Sequence, residues 1–397
     1  WALPVSLITA ELSCAWPCNG GYVIFMFRAF GYFWSFQVGW WSVVGAFANQ
    51  ASYVLLGISY IQTLMVDEMD DWAKLMIVCI FIVLVVAINF FGLEAVGVAD
   101  QILAILVLMP FVVVFFWGIG NAEPKTWGET LPPGQLQSGI LLSNVLWNML
   151  GFAAAGTVAG EVKNPQRTYP LAMILSIVLV ICNYELPLLV SMGREYVQWD
   201  QWSSGTLGEV AGDICGKWMA YWIAVATVAS NLSMLVSGVS STARVTYGMS
   251  SIGLAPRSFA FVIKKTGAPY LSVLFISAGT GVVAAFFALR KGSDAFNLLV
   301  EAATLLGALP IAAQCIAFLY LRKIEPNTHR PFCIPGGWWV AVPMVVIPIA
   351  TLLYLIVQAS TFALLMCAGA IGLGMFLFTA YFVVERCSAL KTVKKMA

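Results

Sequence analysis

Long apolar runs separated by short polar connections dominate the chain. Mostly apolar stretches fall at about 1–16, 33–64, 73–92, 99–120, 139–160, 170–192, 217–250, 270–289, 295–321, 338–358 and 362–385. A helix needs roughly 20 such residues to cross the hydrocarbon of a bilayer. The pattern therefore predicts eleven membrane segments, the first of them short. Several runs exceed the minimum, which accommodates tilt or a helix that extends past the bilayer. No soluble domain interrupts the pattern. The longest polar stretches, near 121–138 and 193–216, are rich in Trp, Pro and Gly. Their Trp127, Trp199 and Trp202 suit the membrane interface, where an indole keeps its ring in apolar surroundings and its N–H wet. The fold class expected is an all-α polytopic membrane protein, a single transmembrane domain over residues 1–397.

Composition sharpens this picture. Hydrophobic residues make up 61% of the chain and charged residues 10%, against about half and a quarter in soluble domains. The net charge of +1 comes with no dense basic cluster, so the lipid bilayer, and no nucleic acid, is the expected surrounding. Charge placement adds an orientation. If the connection after the first run faces the cytoplasm and the rest alternate, fourteen of the 20 lysines and arginines fall inside. Among them are Arg28, Lys163, Arg167, Arg244, Arg322, Arg330 and the basic C-terminal tail. Acidic residues such as Asp67, Glu68, Asp70 and Asp71 collect outside. The basic bias carries the orienting force and predicts a cytoplasmic C-terminus.

The nine cysteines lie mostly inside apolar runs (Cys79, Cys182, Cys315, Cys367), where the side chain behaves as a small hydrophobe and implies no disulfide framework. Cys14 and Cys18 stand at i,i+4, but the one histidine, His329, is far away in a connection. Neither a metal site nor a cofactor is expected. With no HExxH or GxSxG context, no enzyme is expected either. The chain starts at Trp1 already inside an apolar run, which suggests that the natural N-terminus lies beyond it.

Chemistry at membrane depth needs backbone or side-chain groups freed from helix bonding. The segment Leu146–Thr157 is the best candidate for a broken helix. Gly151 and Gly156 bracket a patch of small residues, Asn148 adds a polar group, and Trp147, Phe152 and Ala153 stand beside it. Glycine in a span also serves close helix packing, so the segment alone leaves both readings open. Asn164-Pro165 then ends the helix, and the charges of Glu161, Lys163 and Arg167 can pair at the cytoplasmic surface. Three acids sit inside runs: Glu11, Glu185 and Glu301. Carboxylates are expensive in hydrocarbon and favour cavities or proton paths, although each could be paired structurally or sit near an interface. In the seventh run, Ser230, Asn231, Ser233, Ser240, Ser241 and Thr242 supply polar groups for helix contacts or for a ligand, and Arg244 marks its cytoplasmic end.

Four spaced motifs resemble the amino acid–polyamine–organocation (APC) superfamily. Ala10-Glu11-Leu12 followed by Pro17-Cys18-Asn19-Gly20-Gly21-Tyr22 is similar to that family's A-E-L…P…G-G-[YF] signature. Gly160 to Pro170 resembles E-[VE]-x-N-P-x-R-x-x-P. Arg244 with Gly253, Leu254 and Pro256, and Arg330-Pro331-Phe332 with Ile334-Pro335, complete the set. Trp147-Asn148 and Ala159–Val162 look nearest to the polyamine and light-subunit-type branch. The resemblance implies twelve helices, ten of them in a LeuT-type five-plus-five inverted repeat plus two C-terminal helices. The first and sixth break at mid-membrane to bind substrate. On that alignment the eleven runs are helices two to twelve, with helix one and part of helix two missing from this sequence. The implied function is secondary active transport of amino acids or polyamines by alternating access, proton-coupled, at the plasma membrane. A neutral amino acid exchanger and a non-transporting nutrient receptor are the alternatives.

The implied substrate site is the sixth-helix segment Trp147, Asn148, Gly151, Phe152, Ala153 and Gly156, with Trp41, Asn231 and Glu301 as neighbours. Ala153 stands about where polyamine carriers of this branch often place an acid. Glu185 or Glu301 is expected to supply the missing carboxylate, and these two with Glu11 are the proton-coupling candidates. Glu161, Lys163, Arg167 and Arg244 are expected at a cytoplasmic gate. Light-subunit-type carriers join a heavy subunit through a cysteine in the outer connection that here spans about 65–72. That connection has no cysteine, so a disulfide-linked partner is not expected.

Overall fold

The computed structural model describes residues 1–63, 69–123, 125, 127, 138–193, 206–290 and 295–396. The connection calls made on Asp67, Glu68, Trp199 and Trp202 lie outside those residues. The helices, in chain order, are α1 (Ala2–Ala15), α2 (Tyr22–Thr63), α3 (Asp71–Phe90), α4 (Leu93–Gly118), α5 (Ser138–Trp147), α6 (Gly151–Ala154), α7 (Pro165–Met192), α8 (Thr206–Cys215), α9 (Lys217–Ser251), α10 (Tyr270–Leu289), α11 (Ala295–Ile324), α12 (Gly337–Gln358) and α13 (Thr361–Met396). Pairing outside helices, among the described residues, is a single bridge between Asn19 and Val158. Among the described residues, eight helices (α3, α4, α7 and α9 to α13) are long and apolar enough to cross a membrane. The protein is a multi-pass integral membrane protein, and helix is the form in which a chain satisfies its own backbone groups in hydrocarbon.

Two departures from the hydrophobic pattern have local causes. At Gly31, φ is +79° and ψ −165°, so α2 is a short helix, Tyr22–Phe30, joined through a kink to the long helix that follows. Only glycine takes that backbone geometry without strain. The second departure is α8, in the stretch read as an outer connection. Its Val210 is buried, and its Ala211 packs with Val114, Val190, Met219 and Ile223 in a small cluster.

The long part of α2 is the central post. It packs along α9 and α11, with α10 and α3 beyond. Ser35, Gln37, Ser42, Gln50 and Ser52 of α2 are all buried, so this helix faces protein rather than lipid. One buried cluster joins α1, the start of α2, α6 and the end of α11. A second joins the rest of α2 to α3, α9 and α10. The outward faces of α3, α4, α7, α10 and α13 expose Val83, Phe116, Leu171, Val282 and Phe376, as lipid contact requires.

Candidate functional site

The helix between residues 138 and 161 is broken. After α5 ends at Trp147, the Met149 N–H donates to the Leu146 carbonyl at 2.9 Å and the Leu150 N–H to the Trp147 carbonyl at 3.4 Å. These are three-residue closures instead of the α-helical four, and α6 lasts one turn before 3-10 turns at Ala155–Thr157 and Ala159–Glu161. With side chains as small as Ala and Gly there, the tightened backbone can approach its neighbours closely.

The broken segment walls a cavity of about 440 Å³ lined by residues of α2, α4, α9 and α11. That volume is in the range of small-molecule sites. Trp147 stands behind two of the lining residues, Asn49 and Tyr53. Its indole N–H donates to Asn49 Oδ1 at 2.7 Å, its ring lies 5.0 Å from Tyr53, and Phe296 meets it edge-on at 5.9 Å. Gln50 is held from both sides. Its Oε1 accepts from the Thr280 hydroxyl at 2.8 Å, and its Nε2 donates to Thr242 at 3.3 Å. A site fixed in this way loses little freedom when a ligand binds.

Among the described residues, one acidic side chain lines the cavity: Asp100 of α4. The Ser233 hydroxyl donates to its Oδ1 at 2.6 Å, and the Ser237 hydroxyl donates to its Oδ2. Ser233, Ser237 and Ser241 recur every four residues and so share one face of α9. Ser241 continues the stripe to the break, 3.0 Å from the Thr157 hydroxyl.

Below the cavity two buried ion clusters tie elements together. Glu161 accepts from Arg244 Nε at 2.6 Å and Nη2 at 2.8 Å, a two-pronged pair, while Asn19 Nδ2 donates to the same carboxylate at 2.8 Å. Arg244 is 2% exposed and also donates to the Ser240 carbonyl and hydroxyl. The turn beside it depends on glycine. Gly20 has φ +105°, its N–H donates to the Thr157 carbonyl at 2.8 Å, and a Cβ there would stand 3.0 Å from Gly248 Cα. The second cluster centres on Glu11, which is fully buried. It takes Arg322 Nε at 2.9 Å, Arg322 Nη2 at 2.5 Å and the Ile334 N–H at 2.8 Å, with Arg330 Nε at 3.5 Å.

The sequence-selected residues are distributed unevenly around this site. Gly151 and Ala153 line the cavity, and Trp147 borders it through Asn49 and Tyr53. Phe152 and Gly156 are buried beside it, Gly156 facing Thr9 and Ser13. Asn148 is turned away, its Oδ1 accepting from the Tyr184 hydroxyl at 2.9 Å. Asn231 donates to the Thr227 carbonyl within its own helix. Trp41 is buried, and its indole N–H has no hydrogen-bond partner among the described residues. Glu185 is exposed on α7. Glu301 accepts from the Ser360 N–H and hydroxyl, both at 2.6 Å, at the start of α13. Lys163 and Arg167 are exposed while Glu161 and Arg244 pair with each other. The cavity's own carboxylate, Asp100, was not among the candidates. Its sequence signal was an acid two residues into an apolar run.

Comparison with known proteins gives a consistent pattern of similarity. The amino acid permease family matches residues 1–384. A probable polyamine transporter of Arabidopsis thaliana is 31% identical over 361 residues, 91% of this chain and 73% of that protein. A polyamine transporter of Oryza sativa subsp. japonica is 28% identical over 386 residues, covering 97% of this chain and 71% of its own length. A probable agmatine/putrescine antiporter of Lactococcus lactis is 24% identical over 371 residues, 88% of this chain and 78% of that protein.

Proposed function

The chain belongs to the amino acid permease family, and we propose that it is a secondary carrier for amino acids or polyamines that works by alternating access. The observation that carries this reading is the broken α5–α6 segment walling the 440 Å³ cavity inside a membrane helix bundle. A carrier needs a site at membrane depth where irregular backbone is shielded by protein. The similarity to polyamine transporters supports polyamines as the first substrates to try.

In this reading the helices up to α11 belong to a five-plus-five inverted repeat, and α12 and α13 are its two further helices. Trp147, Gly151 and Ala153 of the break form the substrate wall with α2 and α9. The ion clusters of Glu161–Arg244 and Glu11–Arg322 hold one entrance shut, and their rupture opens it while the opposite entrance closes around Trp147. The basic bias of alternate connections supports a cytoplasmic side for that shut entrance and the C-terminus, in a plasma membrane. Substrate entry is coupled to a proton, which an acid at membrane depth can carry.

The experiment is uptake into proteoliposomes of radiolabelled putrescine, arginine and leucine, with and without an inward proton gradient. Saturable uptake of putrescine or arginine, raised by the gradient, is expected. Leucine uptake indifferent to the gradient would replace this reading with neutral exchange. No saturable flux of any of the three would count against a carrier.

A further inference from the structure

We propose that Asp100, presented by Ser233 and Ser237, is the residue that recognises the positive nitrogen of a cationic substrate and so sets selectivity for amines over neutral amino acids. This rests on the carrier reading above and deepens it. Three observations support it.

The first is charge. Among the described residues, Asp100 is the only Asp, Glu, Lys or Arg lining the cavity. Glu301 is held by Ser360 and Glu185 is exposed on α7, so neither brings a carboxylate to the same space. Among the described residues the ion pairs join Arg28–Glu325, Lys74–Asp71, Arg244–Glu161 and Arg322 and Arg330 with Glu11, and Asp100 is in none of them. A carboxylate at membrane depth without a cationic partner is costly, and such groups mark ligand or ion paths. Glu11 and Glu161 already have the arginine partners that Asp100 lacks.

The second is geometry. The two serine hydroxyls each occupy one carboxylate oxygen, which fixes the rotamer and leaves the remaining lone pairs free. An ammonium carries three donors and no acceptor, so it can sit on the carboxylate without displacing either serine. The third is the surrounding wall. The small residues Ala153, Ala154 and Ala155 and the ring of Tyr53 line the same cavity. They suit the methylene chain of an aliphatic amine, which gains from apolar contact but makes no hydrogen bonds.

Equilibrium binding of radiolabelled putrescine and leucine to the natural full-length protein in nanodiscs, in sodium-free buffer across a pH series, tests the proposal. Asp100→Asn is expected to weaken putrescine about 30-fold or more, the loss typical of removing one member of a desolvated charge pair. Asp100→Glu should keep most of the affinity, and leucine, whose own carboxylate offsets its ammonium, should lose less than putrescine in each variant. Ser233→Ala with Ser237→Ala removes both positioning hydroxyls and should weaken putrescine more than leucine. If Asp100→Asn does not fold, this second variant decides. Unchanged putrescine affinity in the variant that folds would overturn the proposal, as would a natural protein that binds leucine but no amine. So would an Asp100→Asn protein that keeps its putrescine affinity and loses only its pH dependence, because Asp100 would then hold a coupling proton. Binding with the predicted losses but no counterflow in liposomes would instead strike the carrier reading and leave the amine site standing.

Discussion

Replacing Glu11 by Gln should destabilise the folded protein more than a single surface charge change would. Glu11 is fully buried, and its two oxygens accept from Arg322 and from the Ile334 N–H while Arg330 lies within 3.5 Å. Gln presents an NH₂ group to donors and leaves the guanidinium of Arg322, mostly buried, without a counter-charge. Removing one partner of a buried pair costs about 3–5 kcal/mol. For 397 residues the unfolding entropy scales to about 0.8 kcal/mol per kelvin, so the midpoint should fall by about 4–6 °C. Thermal unfolding of the purified protein in detergent, followed by intrinsic fluorescence, reads this shift. Glu11→Gln combined with Arg322→Gln should lose less than the sum of the two single changes, since the orphaned charge goes with its partner. A Glu11→Gln midpoint within about 1 °C of the natural protein would refute the reasoning, because a real buried pair cannot be broken at that cost.

Three further outcomes follow from other parts of the structure. Glu161→Gln should loosen Arg244 and raise the open population about tenfold, a change of about 1.4 kcal/mol. Maleimide labelling of Cys14, buried with its Sγ 3.4 Å from the Pro165 carbonyl, in a protein stripped of its other cysteines should speed up accordingly. Gly20→Ala puts a Cβ 3.0 Å from Gly248 Cα at φ +105°. It should cost about 1–3 kcal/mol from backbone strain alone and lower the yield of folded protein, measured by size-exclusion chromatography. Trp147→Phe keeps an aromatic ring and removes the 2.7 Å bond to Asn49. It should lower fold stability by about 0.5–1.5 kcal/mol, as the loss of one intramolecular hydrogen bond would, read by thermal unfolding, and should raise the transport KM.

Much of the fold was legible because the bilayer imposes a simple rule on sequence. Runs of apolar residues such as 73–92, 217–250 and 270–289 became α3, α9 and α10 with ends shifted by a few residues. The helix break near Gly151 was also legible, since glycines around small residues in mid-span remove side-chain reasons for a straight helix. What could not be read is the pairing between distant positions. Glu161 meets Arg244 across 83 residues, and Glu11 meets Arg322 across 311. Nothing local distinguishes these partners from Lys163 or Arg167, which lie closer in sequence to Glu161 and stay exposed. Asp100 escaped notice for the same reason. It stands near the start of its run, where an acid reads as interfacial. Only the packing of α4 against α9 brings it to Ser233 and Ser237 and gives it a cavity. Glu185 and Glu301 drew attention by lying deep in their runs. Depth along one helix, however, does not say which way a side chain faces.

The central claim is that substrate moves through the cavity beside the broken helix by alternating access. Counterflow tests it most directly: liposomes carrying the natural full-length protein are loaded with unlabelled putrescine and diluted into a trace of labelled putrescine. The account predicts a transient rise of labelled putrescine inside above its outside concentration, absent with Glu161→Gln combined with Arg244→Gln. Labelled putrescine that only equilibrates at a rate linear in concentration would contradict it, since that is the behaviour of a pore.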